Sequence, residues 1–134
     1  MHKTKIVTTF LTNSDKILLL KRSQKVRSMK NLWAGISGII EGDEKPVKRA
    51  KIEVYEEVGI GESNIKLIKE GDVILIESPQ YENHEWEVYP FLFSCDNREI
   101  KLNWENSDAL WIDVEAINDF TTVPSLEKVL TRLF

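Results

Sequence analysis

The apolar positions change period several times along the chain, and each change marks an element. From Ile6 to Leu11, and again from Lys16 to Lys21, runs of branched and aliphatic residues flank the polar stretch Thr12-Asn13-Ser14-Asp15. Two such runs around a turn read as a β-hairpin. Leu32 to Ile40 interleaves glycine with apolar residues and reads as a short strand pair. The period then lengthens to that of a helix from about Pro46 to Val58, where Val47, Ala50, Val54 and Val58 form one stripe suited to core packing. Pro46 suits the first helical turn, where a missing N–H is no loss, and Gly59 stands where a glycine ends helices. Ile65 to Ser78 reads as one further strand, stopped by Pro79. Glu85 to Ser94, with Trp86, Val88 and Phe91 to Phe93, is the strongest later strand. Ala109 to Ile112 is a short strand, and Asp113 is placed to N-cap a helix through Ile117. Ser125 to Leu133 reads as a closing helix with Leu126, Val129, Leu130 and Leu133 on one face. The order is mixed α/β, without internal repeat, low-complexity tract or linker, so residues 1–134 read as one domain.

The polar side of the first helix is harder to explain by folding. At about 100° per residue, Glu53, Glu56 and Glu57 fall within an arc of about 100°. Like charges at i,i+3 and i,i+4 cost roughly 0.2–0.5 kcal/mol per pair. A solvated acidic face, paired with Arg49, Lys45 and Lys48, is the plain alternative. A hard divalent cation such as Mg²⁺, which takes carboxylate oxygens, would offset the repulsion. The flanks favour the cation. Gly38 and Gly42 allow a close approach and unusual backbone angles just before the helix. Glu41 and Glu44, in the loop and at the helix start, can reach toward the same ion.

This segment, Gly38 to Ile60, resembles the Nudix box, Gly-x5-Glu-x7-Arg-Glu-U-x-Glu-Glu-x-Gly-U, where U is a bulky aliphatic. Gly38, Glu44, Glu53, Val54, Glu56, Glu57, Gly59 and Ile60 match in register over 23 of 134 residues. The resemblance implies an α/β/α sandwich with a mixed β-sheet, the box helix on one side and the C-terminal helix on the other. It implies Mg²⁺, with Mn²⁺ as a substitute, held by Glu53, Glu56, Glu57 and the Gly38 carbonyl. Glu56 and Glu57 are then the principal ligands and Glu53 is ligand or base. Glu105, in Leu102-Asn103-Trp104-Glu105 ahead of Trp111-Ile112-Asp113, would complete the metal site or act as general base. The activity implied is hydrolysis of a pyrophosphate linkage in a nucleoside diphosphate joined to another moiety. One position departs: Ile52 stands where the box has an arginine that orients the glutamates by ion pairing. That departure bears on rate more than on fold or metal, with Arg49 a candidate stand-in. It also leaves a second reading open, a catalytically weak module that binds a nucleotide or a protein partner.

Composition sets outer bounds. The chain is 42% hydrophobic and 30% charged, as soluble globular proteins are. A net charge of −4 gives no reason to expect general nucleic-acid binding. Cys95 is alone, which excludes an internal disulfide and suggests a reducing compartment. The apolar run Ile17 to Leu20 is too short for a signal peptide or a membrane span, so the expectation is a cytoplasmic monomer or homodimer.

Charge is unevenly placed. From Lys16 to Ile40 there are six basic residues and no acid, and from Glu41 to Glu57 there are six acids. Folded together, these would sandwich phosphate and metal between cations and carboxylates. Arg22, closing a strand, and Arg27 are the candidate substrate contacts, whereas Lys16, Lys25 and Lys30 read as solvated. Trp33, Tyr81 and Trp86 are candidates to stack a nucleobase. Glu82, Glu85 and Glu87 compete with Glu105 for its role, and His84 reads as a solvated loop residue.

Overall fold

In the computed structural model, which describes residues 2–77 and 83–134, the apolar runs become strands buried on both faces. Strand β2 (Lys16–Arg22) shows how: Leu18 and Leu20 enter one core, Ile17 and Leu19 the other. A strand covered on both sides has a continuous apolar run instead of strict alternation. Strand β1 (His2–Asn13) divides Val7 and Leu11 from Phe10 in the same way. So does β7 (His84–Cys95), with Phe91, Phe93 and Cys95 on one side and Val88 and Leu92 on the other. Helix α1 (Pro46–Val58) lays Ala50, Val54 and Val58 on the first core. Helix α2 (Leu126–Thr131) lays Leu126, Val129 and Leu130 on the second. This is the expected α/β/α sandwich. Each full burial of a large aliphatic is worth about 1.5–3 kcal/mol, so packing rather than intrinsic propensity holds a helix as short as α2.

The sheet is mixed and forked. Strand β1 pairs in parallel with β7 from His2 to Thr12. On its other edge it meets β2 only at Thr12 and Asn13. The rest of that edge, Ile6 to Thr9, is taken by β4 (Ile36–Ile39). The chain reaches β4 from β3 (Trp33–Ala34), which pairs with β2. Gly35 makes the crossing, where a Cβ would press on the Phe10 ring and the Thr9 carbonyl at 3.1 Å. The fork leaves β4 and the start of α1 facing open space between the two halves of the sheet.

Three elements differ from the sequence reading. The single strand expected from Ile65 to Ser78 is two, β5 (Ile65–Glu70) and β6 (Ile74–Glu77), both antiparallel to β7. Pro90 of β7 lies between the two ladders and has no N–H to give, and the chain bulges opposite it, with Gly71 N–H donating to the Pro90 carbonyl at 2.9 Å. Ser78 and Pro79 lie outside the described residues. Strand β8 (Asn106–Ile112) starts three residues before the expected Ala109, since backbone pairing with β2 carries the polar Asn106, Ser107 and Asp108 along. Asp113 caps no helix by its side chain: a 3-10 turn, Val114–Asp119, follows, and its carboxylate accepts from Lys16 Nζ at 2.7 Å. Cys95 is buried in the first core. Among the described residues, no helix is long and apolar enough to cross a membrane.

Candidate active site

The second turn of α1 and strand β4 meet at the fork. Gly59, at φ 77°, ends α1 in the left-handed region, and Gly42 turns the preceding loop at φ 54°. Gly38 has a different task. A Cβ there would run into the Glu53 carboxylate, so only glycine lets that side chain lie against the β4 backbone.

Glu53 and Glu57 are buried, at 7% and 3% exposure, an unusual state for carboxylates. Glu53 Oε2 accepts from Arg49 Nη1 at 3.1 Å. Glu57 Oε1 accepts from Asn106 Nδ2 at 3.1 Å. Its Oε2 is buried with no hydrogen-bond partner. Burial pushes the Glu57 carboxyl well above the ordinary range, and the nearby charges of Glu105 and Glu53 push further, against the Asn106 hydrogen bond. Burial also raises Glu53, opposed by its hydrogen bond from Arg49.

Arg49 has further partners. Its Nε and Nη2 donate to both oxygens of Glu44, at 2.6 and 3.0 Å. Glu44 Oε1 also accepts from the Glu41 N–H at 2.8 Å, closing the loop onto the helix. Glu44 is therefore committed to Arg49 and does not reach toward a cation. Ile52 is half-buried.

Glu105 is brought to the same place by a tied loop. The Ser23 N–H donates to the Glu105 carbonyl at 2.8 Å, and the Ser23 hydroxyl donates to the Trp104 carbonyl at 2.7 Å. Asn103 accepts from the Glu105 N–H at 3.0 Å. Arg22 faces this group: burial lowers its pKa, and the charges of Glu57 and Glu105 oppose that. Its Nε and Nη2 donate to the Ser28 carbonyl.

These residues border a cavity of about 750 Å³, of the size that takes small ligands. Arg22, Ser37, Gly38, Glu53, Glu56 and Glu105 make one end polar. Ile6, Ile76, Trp86, Val88, Leu126 and Val129 make the other apolar. Glu56 is exposed and Glu57 lies behind the lining.

The remaining candidates separate. Arg27 is exposed and outside the lining, so Arg22 alone of the six basic residues borders the cavity. Trp33 packs edge-on against Phe120 at 5.3 Å, away from the cavity. Trp86 is a wall of it, with its Nε1–H buried and unpaired. Tyr81 and Glu82 lie outside the described residues. Glu85 and Glu87 pair with Lys3 and Lys5 along the sheet and do not approach the cluster. His84 is no solvated loop residue: it opens β7, where its ring accompanies Thr4 Oγ1 at 3.0 Å. Asn106 and Ser23 escaped the sequence reading, because a lone Asn or Ser in a polar stretch carries no pattern.

The donor set suits a hard cation: clustered carboxylates, one with a buried oxygen that nothing satisfies. Among the described residues, however, no three His, Cys, Asp or Glu side chains already converge as a metal cage. Glu53 and Glu57 already touch each other, with Arg49 on one oxygen of Glu53 and Asn106 on one oxygen of Glu57, so a third ligand is what an ion would have to bring in.

The comparisons with known proteins bear on the family and the fold. The family model for the NUDIX domain matches residues 2–133. No curated protein matches the chain. Among solved structures, the MutT protein of Methanosarcina mazei Go1 superposes with a TM-score of 0.76 at 22% identity, covering 98% of this chain and 92% of that one. A C. elegans Ap4A hydrolase gives 0.75 at 16%, covering 99% and 95%. The E. coli dihydroneopterin triphosphate pyrophosphohydrolase gives 0.72 at 21%, covering 96% and 91%. At such identities the likeness is one of fold.

The buried carboxyls make stability depend on pH. Glu57 titrates higher in the folded state than its ordinary value of 4.5, so its protonated form favours the fold. That contribution is full below about 4.5 and is lost as pH rises through the raised folded value. With chelator present, the melting temperature is expected to fall as pH rises from about 4.5 towards the raised folded value and to level off above it, and Glu57→Gln to flatten the fall. Equal slopes in thermal melts of the two proteins would contradict the assignment.

Proposed function

Because the chain belongs to the NUDIX domain family, we propose that it hydrolyses the pyrophosphate linkage of a nucleoside diphosphate joined to a further group, using Mg²⁺. Membership makes it a hydrolase of phosphoanhydride bonds, in a family that generally uses divalent metal ions. The observation that carries the finer reading is the unsatisfied Oε2 of Glu57, buried beside Glu53 and Glu105 and facing Arg22. The C. elegans neighbour hydrolyses Ap4A and the E. coli one dihydroneopterin triphosphate. Phosphate-linked substrates of that kind suit a cavity polar at one end and apolar at the other.

Glu53, Glu56, Glu57 and the Gly38 carbonyl are the residues that would hold the ion. Bound there, Mg²⁺ supplies neutralisation of phosphate charge and a more acidic water. Arg22 holds phosphate oxygens from the opposite wall, its fork fixed by the Ser28 carbonyl. Glu105, on its tied loop, is positioned to take the proton from the attacking water. Trp86 offers a ring face to the base at the apolar end. The second reading, a catalytically weak module that binds a nucleotide or a protein partner, rests on Ile52.

Incubation with a panel of nucleoside diphosphate derivatives and Mg²⁺, read as phosphate or pyrophosphate release, decides between the readings. Turnover of at least one compound is expected, and binding without turnover across the panel would favour the module. In the active case, Glu56→Gln or Glu57→Gln is expected to lower kcat at least about 10²-fold with the fold intact. Wild-type rates in either variant would overturn the ligand assignment. Gly38→Ala is expected to push Glu53 aside, weakening Mg²⁺ binding about tenfold, or roughly 1.4 kcal/mol, by titration calorimetry. Unchanged affinity would show that the Glu53 position is immaterial to the ion.

A further inference from the structure

Each buried carboxylate at this site is held by a donor, and one of these donors, Arg49, holds a second carboxylate as well. We propose that Arg49 is the positioning residue of the site, fixing Glu53 and Glu44 from one helical turn before Ile52, where the box pattern has its arginine. The proposal rests on the carboxylate-site reading above, but not on the identity of the substrate.

Three observations lead to it. First, each guanidinium nitrogen has a partner: Nε and Nη2 grip both oxygens of Glu44, and Nη1 holds Glu53 Oε2. A planar fork with fixed spacing does this, and an ammonium cannot. Second, the network is shielded, with side-chain exposures of 14% for Arg49, 15% for Glu44 and 9% for Glu53. Exposed ion pairs are loosened by water and salt, and this half-buried one, with Arg49 on the cavity wall, is loosened less. Third, Glu53 is gripped from two directions. The Gly38 backbone closes one side of its carboxylate, and Arg49 fixes the other.

Position follows from the helix. Residue 49 stands four before Glu53, so the two share a face, and the loop of Glu41 and Glu44 folds back over the same face. Residue 52 is adjacent to Glu53 in sequence and about 100° away around the helix. An arginine there would find Glu44 and Glu53 already taken. On this account Ile52 is no handicap: the orienting cation has moved by one turn, and the position it left can carry an apolar side chain.

The test compares wild type, Arg49→Lys, Arg49→Gln and Ile52→Arg by Mn²⁺ affinity, melting temperature, and kcat and KM on whichever nucleotide is turned over. Both Arg49 variants are expected to bind Mn²⁺ about tenfold more weakly and to lose about 10–10²-fold in kcat. Their KM is expected to stay within about threefold, with melting above the assay temperature. Ile52→Arg is expected to stay within about twofold of wild type in kcat. Wild-type Mn²⁺ affinity in Arg49→Lys would overturn the proposal, since charge alone would then suffice. So would a gain of about tenfold in kcat for Ile52→Arg, which would mean that the orienting donor is missing. If no nucleotide is cleaved, the Mn²⁺ comparison still decides for Arg49. If wild type binds no Mn²⁺ at all, the site reading fails and this proposal with it.

Discussion

Two carboxylates on one helix are buried with about one donor apiece, and much of the surrounding structure serves to hold them there. An ionised carboxylate taken from water without compensation is costly, so it gains a proton or a cation. Glu57 has Asn106 on one oxygen and nothing on the other. Glu53 has Arg49. The repulsion between them and Glu105 is what a fold selected for stability alone would avoid. It becomes useful when a divalent ion enters, because the same oxygens then have a partner.

The scaffold follows from that constraint. The fork between β2 and β4 opens the sheet where α1 begins, and Gly35 and Gly38 let two strands and a helix come closer than side chains would permit. Apolar packing on both faces of the sheet then carries the stability that the site gives up. The carboxylates sit on the rigid helix, and the partners that complete the cavity come from a tied loop, which carries Glu105 through Ser23, and from the end of β2, where Arg22 rests on the Ser28 carbonyl. Rigid positioning of this kind is what metal and phosphate chemistry requires.

The fold was readable where side chains declare their period. The strand of Ile17 to Leu20 and the helical stripe of Val47 to Val58 are visible in the bare sequence. The break between β5 and β6 was not, because it is caused by Pro90 on a neighbouring strand that sequence order does not reveal. The site was half legible. Glu53, Glu56 and Glu57 announce themselves by spacing. Asn106 does not, since its role exists only once β8 lies beside α1. Arg27 looked equivalent to Arg22 along the chain, and only the strand end directs one of them inward. Glu44 looked like a further ligand until Arg49 was seen to occupy both its oxygens.

The central claim is that the Glu53–Glu57 pocket is built for a divalent cation. A crystal equilibrated with Mn²⁺ and measured for anomalous scattering tests this most directly. The account predicts a peak at roughly 2.1 Å from Glu57 Oε2. Glu53 or Glu56 is expected in the same coordination sphere, with Glu53 still held by Arg49 through Oε2. Saturating Mn²⁺ with no peak at Glu57, or peaks confined to other surface acids, would contradict it.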